Sequence, residues 1–198
     1  MSERKLLGQR EFNGSKLSIR ELPTEANHER TYHVDLIAPE DLATTVVTVP
    51  AGTTIPVDIS VRSLTDGVLF EADATVQIES ECVRCLDPIS TRKSVKISEM
   101  FFTPEAIERM RDEHGDEGVE DLRVLEGDEI ELETLLRDNI VSGFPFQPLC
   151  QPDCDGLCDV CGEKWKDLPE DHAHEMLDPR FAKLSQLLQD GKLEDESK

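Results

Sequence analysis

The chain has 198 residues and carries 43 Asp and Glu against 21 Lys and Arg, a formal net charge of −22. That balance excludes a free-standing nucleic-acid binder drawn in by long-range attraction, because neutralising phosphates drives such affinity; it favours basic partners or plain solubility. The N-terminus, MSERKLLGQREF, lacks an apolar h-region, and no apolar run approaches the roughly 18 residues that cross a bilayer, so a cytoplasmic chain is expected, its six cysteines metal ligands or free thiols rather than disulfides.

Residues 1–30 are polar and weakly periodic and read as a loosely attached N-terminal arm with a strand at 16–20. Residues 31–149 read as the one sizeable core that a 37% hydrophobic chain of this length supports. Residues 44–49 (TTVVTV) are β-branched throughout, and 57–61, 68–78 and 94–102 alternate apolar with polar. That period of two buries one face and wets the other. Glu99 interrupts the last of these faces before Met100, Phe101 and Phe102. Pro50-Ala51-Gly52, Asp66-Gly67 and Asp87-Pro88 supply turns. The pattern predicts an α+β domain whose sheet is an antiparallel β-meander with a few helices.

Residues 105–133 hold thirteen Asp or Glu and three Arg. Thr103-Pro104-Glu105 opens a short helix there, and most of the stretch, 105–129, reads as a solvated acidic loop. Its functional alternative is an RNA-mimicking patch for a basic protein. Ile130, Leu132, Leu135, Leu136, Ile140 and Val141 form a helical stripe. Gly143 ends that helix, and Phe144-Pro145-Phe146 leads toward Cys150. Residues 150–190 form a cysteine and histidine tail. In it Asp178 reads as an N-cap, with Pro179 at the first position of a helix over 179–189 that buries Phe181, Leu184, Leu187 and Leu188.

Four of the six cysteines fall in CQPDCDGLCDVC, residues 150–161. Cys158-Asp159-Val160-Cys161-Gly162 is a C-x-x-C-G knuckle, in which two thiolates three residues apart can bind one metal across a sharp turn. A second C-x-x-C, Cys82-Val83-Arg84-Cys85, lies upstream between two predicted strands, at a hairpin tip. Two knuckles together with the close pair Cys150 and Cys154 point to zinc. Nothing in the chain forms a nucleophile–His–Asp arrangement or a phosphate-binding glycine loop, and no pair of acids stands in an apolar setting suited to acid–base work.

Three stretches together resemble the YceD family. They are Glu81-Cys82-Val83-Arg84-Cys85-Leu86; Pro148-Leu149-Cys150 with Cys154-Asp155-Gly156-Leu157-Cys158 and Cys161-Gly162; and the closing Asp178-Pro179-Arg180-Phe181. The resemblance spans about residues 32–188. It implies a bacterial protein needed for accumulation of large-subunit (23S) ribosomal RNA, with no catalytic activity attached. The implied partner is precursor large-subunit RNA or a large-subunit ribosomal protein, with no membrane and no small-molecule substrate. Many members close the tail with a further cysteine pair, where this chain has His172-Ala173-His174.

With those two histidines the chain offers eight ligands, enough for two tetrahedral sites, so one or two Zn²⁺ are expected. The preferred partition takes Cys82, Cys85, Cys150 and Cys154 for the first site and Cys158, Cys161, His172 and His174 for the second, because Asp155-Gly156-Leu157 can redirect the chain from one site to the other. In an extended His-x-His both rings point to one side, as a shared metal requires. The competing partition gathers Cys150, Cys154, Cys158 and Cys161 and leaves Cys82 and Cys85 as a dithiol, which would suit a thiol redox or metal-handling protein. His28, His33 and His114 read as plain surface or strand residues. Arg84, Arg92, Lys93 and Lys96 around the first knuckle, with Lys164, Trp165 and Lys166 beside the second, could form a basic face with an aromatic for stacking on RNA.

Overall fold

The computed structural model describes residues 4–174. The chain divides into two compact units between Cys154 and Asp155. The first holds a seven-stranded mixed sheet and a separate two-stranded sheet of β2 and β9. The strands of the unit are β1 (Lys5–Glu11), β2 (Lys16–Ser18), β3 (Glu29–Ile37), β4 (Val47–Thr48), β5 (Thr54–Leu64), β6 (Gly67–Glu81), β7 (Pro88–Phe102), β8 (Arg123–Val124) and β9 (Glu129–Glu131). Two α-helices, α1 (Pro104–His114) and α2 (Leu132–Ser142), complete it.

The centre of the sheet is the expected antiparallel run β3-β5-β6-β7. Asp66 closes the tight hairpin in which Leu64 pairs with Gly67. Gly67 is required there: a Cβ would drive into the carbonyl oxygen of Phe101 on the neighbouring strand. The two edges overturn the pure meander. β1 pairs parallel with β3, and β8 pairs parallel with β7. A parallel pair needs a crossover of about a dozen residues or more, and residues 12–28 and 103–122 supply one each.

The first crossover also corrects the loosely attached arm. Phe12, Leu17, Ile19 and Leu22 are buried in the core, and β2 pairs antiparallel with β9, Leu17 opposite Ile130. Leu17 and Ile19 fall in the strand expected at 16–20, of which Lys16–Ser18 forms β2, whereas Phe12 and Leu22 follow no period, which is why the arm as a whole reads as loosely attached. The β-branched run 44–49 yields only the two-residue β4, which pairs with β6 at Ser80 and Glu79 beyond the end of β5. Propensity here exceeds the edge available for pairing.

The acidic stretch opens with the expected helix, and beyond it only a 3₁₀ turn at Asp116–Gly118 and the two residues of β8 interrupt the irregular chain up to residue 128. Thr103 caps α1 by accepting from the backbone N–H of Ala106, Pro104 opens the helix, and Ala106 and Ile107 are buried. Ion pairs anchor its arginines: Arg109 with Asp66, Arg111 with Asp116 at 3.1 Å, and Arg123 with Glu99 at 3.6 Å. Ile130 is buried, though on β9 rather than on the helix, which begins at Leu132.

One face of the sheet carries the core. Tyr32, Val34 and Leu36 of β3, Ile55 to Val61 at alternate positions of β5, Val68 to Ile78 on β6, and Val95 and Ile97 on β7 pack with Leu132, Leu135, Leu136 and Ile140 of α2. In the second unit a 3₁₀ turn, Trp165–Asp167, follows the second knuckle. The predicted helix over 179–189 lies outside the described residues.

Candidate metal centres

Both knuckles are tight hairpins built to one plan. In the first, Glu81 pairs with Pro88 across the end of β6 and β7. The Cys82 N–H donates to the Asp87 carbonyl at 2.8 Å, and the Leu86 N–H returns to the Cys82 carbonyl at 2.9 Å. In the second, Leu157 bridges to Lys164. The Cys158 N–H donates to the Glu163 carbonyl at 2.7 Å, and the Gly162 N–H returns to the Cys158 carbonyl at 2.8 Å. The turn demands a left-handed residue just after the second cysteine. Gly162 takes it at φ +75° and Leu86 at φ +60°; for a non-glycine residue that conformation costs roughly 1–2 kcal/mol.

Within the first unit the sulfurs of Cys82, Cys85, Cys150 and Cys154 all lie within 4.8 Å of one another. Cys82 and Cys154 are 3.8 Å apart, Cys85 and Cys150 3.6 Å. Tetrahedral thiolates about 2.3 Å from one zinc sit about 3.8 Å from each other, whereas disulfide sulfurs sit about 2 Å apart. Two contacts bring the segment from α2 onto the knuckle. The Val83 N–H donates to the Pro148 carbonyl at 3.0 Å, and the Arg84 guanidinium donates to the Cys154 carbonyl at 2.8 Å.

Within the second unit Cys158, Cys161, His172 and His174 offer ligand atoms that also fall within 4.8 Å of one another. The Cys161 sulfur is 3.6 Å from His172 Nε2. The rings of His172 and His174 meet edge to face at 4.4 Å between centroids, and Trp165 stands edge-on to His172 at 5.5 Å. Cys150 and Cys154 thus stand with the upstream knuckle, not with Cys158 and Cys161. Each set has the donor chemistry and spacing to hold one metal ion.

The protonation of the thiols follows from the knuckles. Backbone N–H groups, from Cys150 first and then from Cys85 and Arg84, favour the Cys82 thiolate against burial and hold its pKa at about 6. The N–H groups of Cys161 and Val160, helped by His172, do the same for Cys158, also at about 6. For Cys85 the Asp87 N–H favours the thiolate, but burial and the neighbouring Cys82, Cys154 and Cys150 sulfurs outweigh it and push the pKa to about 12. Burial, with Cys154 beside it, raises Cys150. Crowding four thiols into one pocket keeps Cys85 and Cys150 protonated, and a metal ion would have to displace those protons as it bound.

The basic residues fall out differently. Arg84 is spent on the Cys154 carbonyl. Lys93 shares the core face of β7 with Val95 and Ile97, and its ammonium donates to the Gly143 carbonyl at the end of α2. Arg92 and Lys96 project from the opposite, exposed face of the same strand. Lys164, Trp165 and Lys166 belong to the second unit, where Trp165 is partly exposed beside His172. Sequence reading quoted Leu86 only within the family resemblance, and foresaw neither its left-handed backbone nor the tie from Val83 to Pro148. The signal for Leu86 was present, since it occupies the position that glycine fills in the second knuckle.

Among the described residues no helix is long and apolar enough to cross a membrane. No solved structure matches the chain. Uncharacterised proteins of Mycobacterium tuberculosis and Mycobacterium bovis are each 33% identical over 156 residues, covering 79% of this chain and 72% of the relative. One from Mycobacterium leprae is 33% identical over 143 residues, 72% of this chain and 63% of the relative. The model of the family described as large ribosomal RNA subunit accumulation protein YceD matches residues 70–188, which take in both candidate metal centres. The chain belongs to the YceD family.

Proposed function

We propose that this protein is a non-catalytic cytoplasmic factor that binds two zinc ions and promotes accumulation of 23S ribosomal RNA during large-subunit assembly. The match of the family's model across residues 70–188 carries this reading. Soft thiolate and imidazole donors in sets of four favour zinc, and four protein ligands per ion leave no open position for a substrate. The metals' role is then structural: the first joins the tip of β6 and β7 to the segment after α2, and the second closes the knuckle of residues 158–161 onto His172 and His174. The direct partner is precursor large-subunit RNA or a basic large-subunit protein.

The low pKa of Cys82 and Cys158 would also suit a redox dithiol. The convergence of Cys150 and Cys154 on the same point favours the metal reading, because a redox pair needs only two sulfurs. A deletion strain tests the function. Mature 23S rRNA should fall relative to 16S rRNA and return with the wild-type gene, but not with the Cys85→Ser, Cys154→Ser double variant. Normal subunit profiles in the deletion strain would refute the role. Protein purified without a histidine tag that is folded, metal-free and readily alkylated at Cys82 and Cys85 would establish the redox reading instead.

A further inference from the structure

The two knuckles share their hydrogen bonds and differ at one position. The residue after the second cysteine is Gly162 in one and Leu86 in the other, both at positive φ. A leucine is strained in that conformation, where glycine is free. Leu86 does not recover the cost by packing, since 59% of it is exposed. Val83 and Val46 beside it are 46% and 41% exposed. With Ile89 these three line a groove of about 780 Å³ whose walls also carry Glu79 and Glu81. Among the described residues no Lys, Arg or His lines it, and Arg84 is turned onto the Cys154 carbonyl. A strained residue held without internal benefit points to a function outside the chain, and exposed apolar side chains rimmed by charge are the mark of an interface.

We infer that this groove docks a basic polypeptide segment, which sets an apolar side chain against Leu86, Val83 and Val46 and its Lys or Arg side chains against Glu79 and Glu81. Charge complementarity selects the occupant: the carboxylates attract a basic segment and repel the phosphates of RNA. Because the knuckle is held by its own hydrogen bonds and by the four-cysteine set, the anchor is already in place before the partner arrives, which lowers the ordering cost of binding.

The test is a photocross-linking residue in place of Val83 in the full chain, irradiated in growing cells, with the attached peptide sequenced by mass spectrometry. The attached segment should be a polypeptide with net positive charge and an apolar residue at the point of attachment. Its yield should fall about tenfold, as for loss of a central anchor, when Leu86→Gly is added, and should also fall with Glu79→Gln and Glu81→Gln combined. Leu86→Gly should keep wild-type metal content and thermal melting, since glycine fits that turn without strain; Val46→Ser gives an independent loss of the groove from its other wall. Attachment to RNA, to a second copy of this chain or to a segment without net positive charge would overturn the inference, as would no attachment or a yield indifferent to Leu86→Gly and Val46→Ser. The inference goes beyond the proposed role in rRNA accumulation. The cross-link is read whatever happens to rRNA levels, so failure of one is distinguishable from failure of the other.

Discussion

Cys82 and Cys158 occupy the same place in their knuckles, and backbone N–H groups hold both at about 6 against an ordinary thiol value of 9.0. The fold thereby favours their thiolates. The resulting stabilisation is complete above about pH 9 and is lost as pH falls through about 6. Cys85, pushed to about 12, acts in the opposite sense: its contribution is complete below about pH 9 and is lost only as pH rises through about 12. Metal-free protein should therefore melt at progressively lower temperature from pH 9 down to pH 6, as calorimetric scans would show. Metal binding at pH 7 must displace protons from Cys85 and Cys150, both raised. Titrations in buffers of different ionisation heat should read at least two protons released by the first centre, and affinity falling with pH. A flat pH profile would contradict the thiolate assignments.

At the scale of elements, β7 shows how one strand serves two faces. Its alternation sends Arg92 and Lys96 to the wet side and Lys93, Val95 and Ile97 to the core side. Lys93 lies opposite Val76, and its ammonium meets the Gly143 carbonyl just past α2. That carbonyl is among the groups a helix end leaves unsatisfied. Replacing Lys93 by Met should cost about 1–3 kcal/mol, the range for losing a hydrogen bond from a charged donor and leaving its acceptor bare. Arg92→Ala, on the exposed face, should move the urea midpoint little. Should Lys93→Met prove neutral in urea unfolding, Lys93 becomes available again as part of a binding surface.

For the whole molecule, the important division is that each ligand set lies inside one unit. Cys82, Cys85, Cys150 and Cys154 fall in residues 1–154, and Cys158, Cys161, His172 and His174 in residues 155–198. Only the Asp-Gly-Leu link, residues 155–157, separates Cys154 from Cys158. Sites that share no ligand lose metal independently. Wild-type protein should carry two equivalents of metal by elemental analysis, and Cys154→Ser and Cys161→Ser should each carry one. Loss of both metals in either single variant would mean that the four-ligand sets are coupled. The effects on folding should differ as well. The first site joins a hairpin tip to a segment more than sixty residues further along the chain, so losing it releases a long loop, whereas the second closes a short one.

Local chemistry alone determined a good deal. Cysteine spacing named six of the eight candidate ligands, the departure from the family's tail added His172 and His174, strict alternation named the inward residues of β5, β6 and β7, and Thr103-Pro104 named the start of α1, because each signal is carried by neighbours within a few residues. The net charge of −22 likewise follows from composition alone. The tertiary structure decided what depends on distant partners. Residues 5–22 became β1 and buried crossover only because β3 and β9 offered edges for pairing. Ile130 became a strand residue because Leu17 lies opposite it. Cys150 and Cys154 went to the upstream knuckle because Pro148 and the Cys154 carbonyl are bound by Val83 and Arg84. Arg84 and Lys93 left the basic face for backbone carbonyls by the same logic: a carbonyl at a helix end or in the cysteine loop gains a charge-assisted hydrogen bond from a nearby cation.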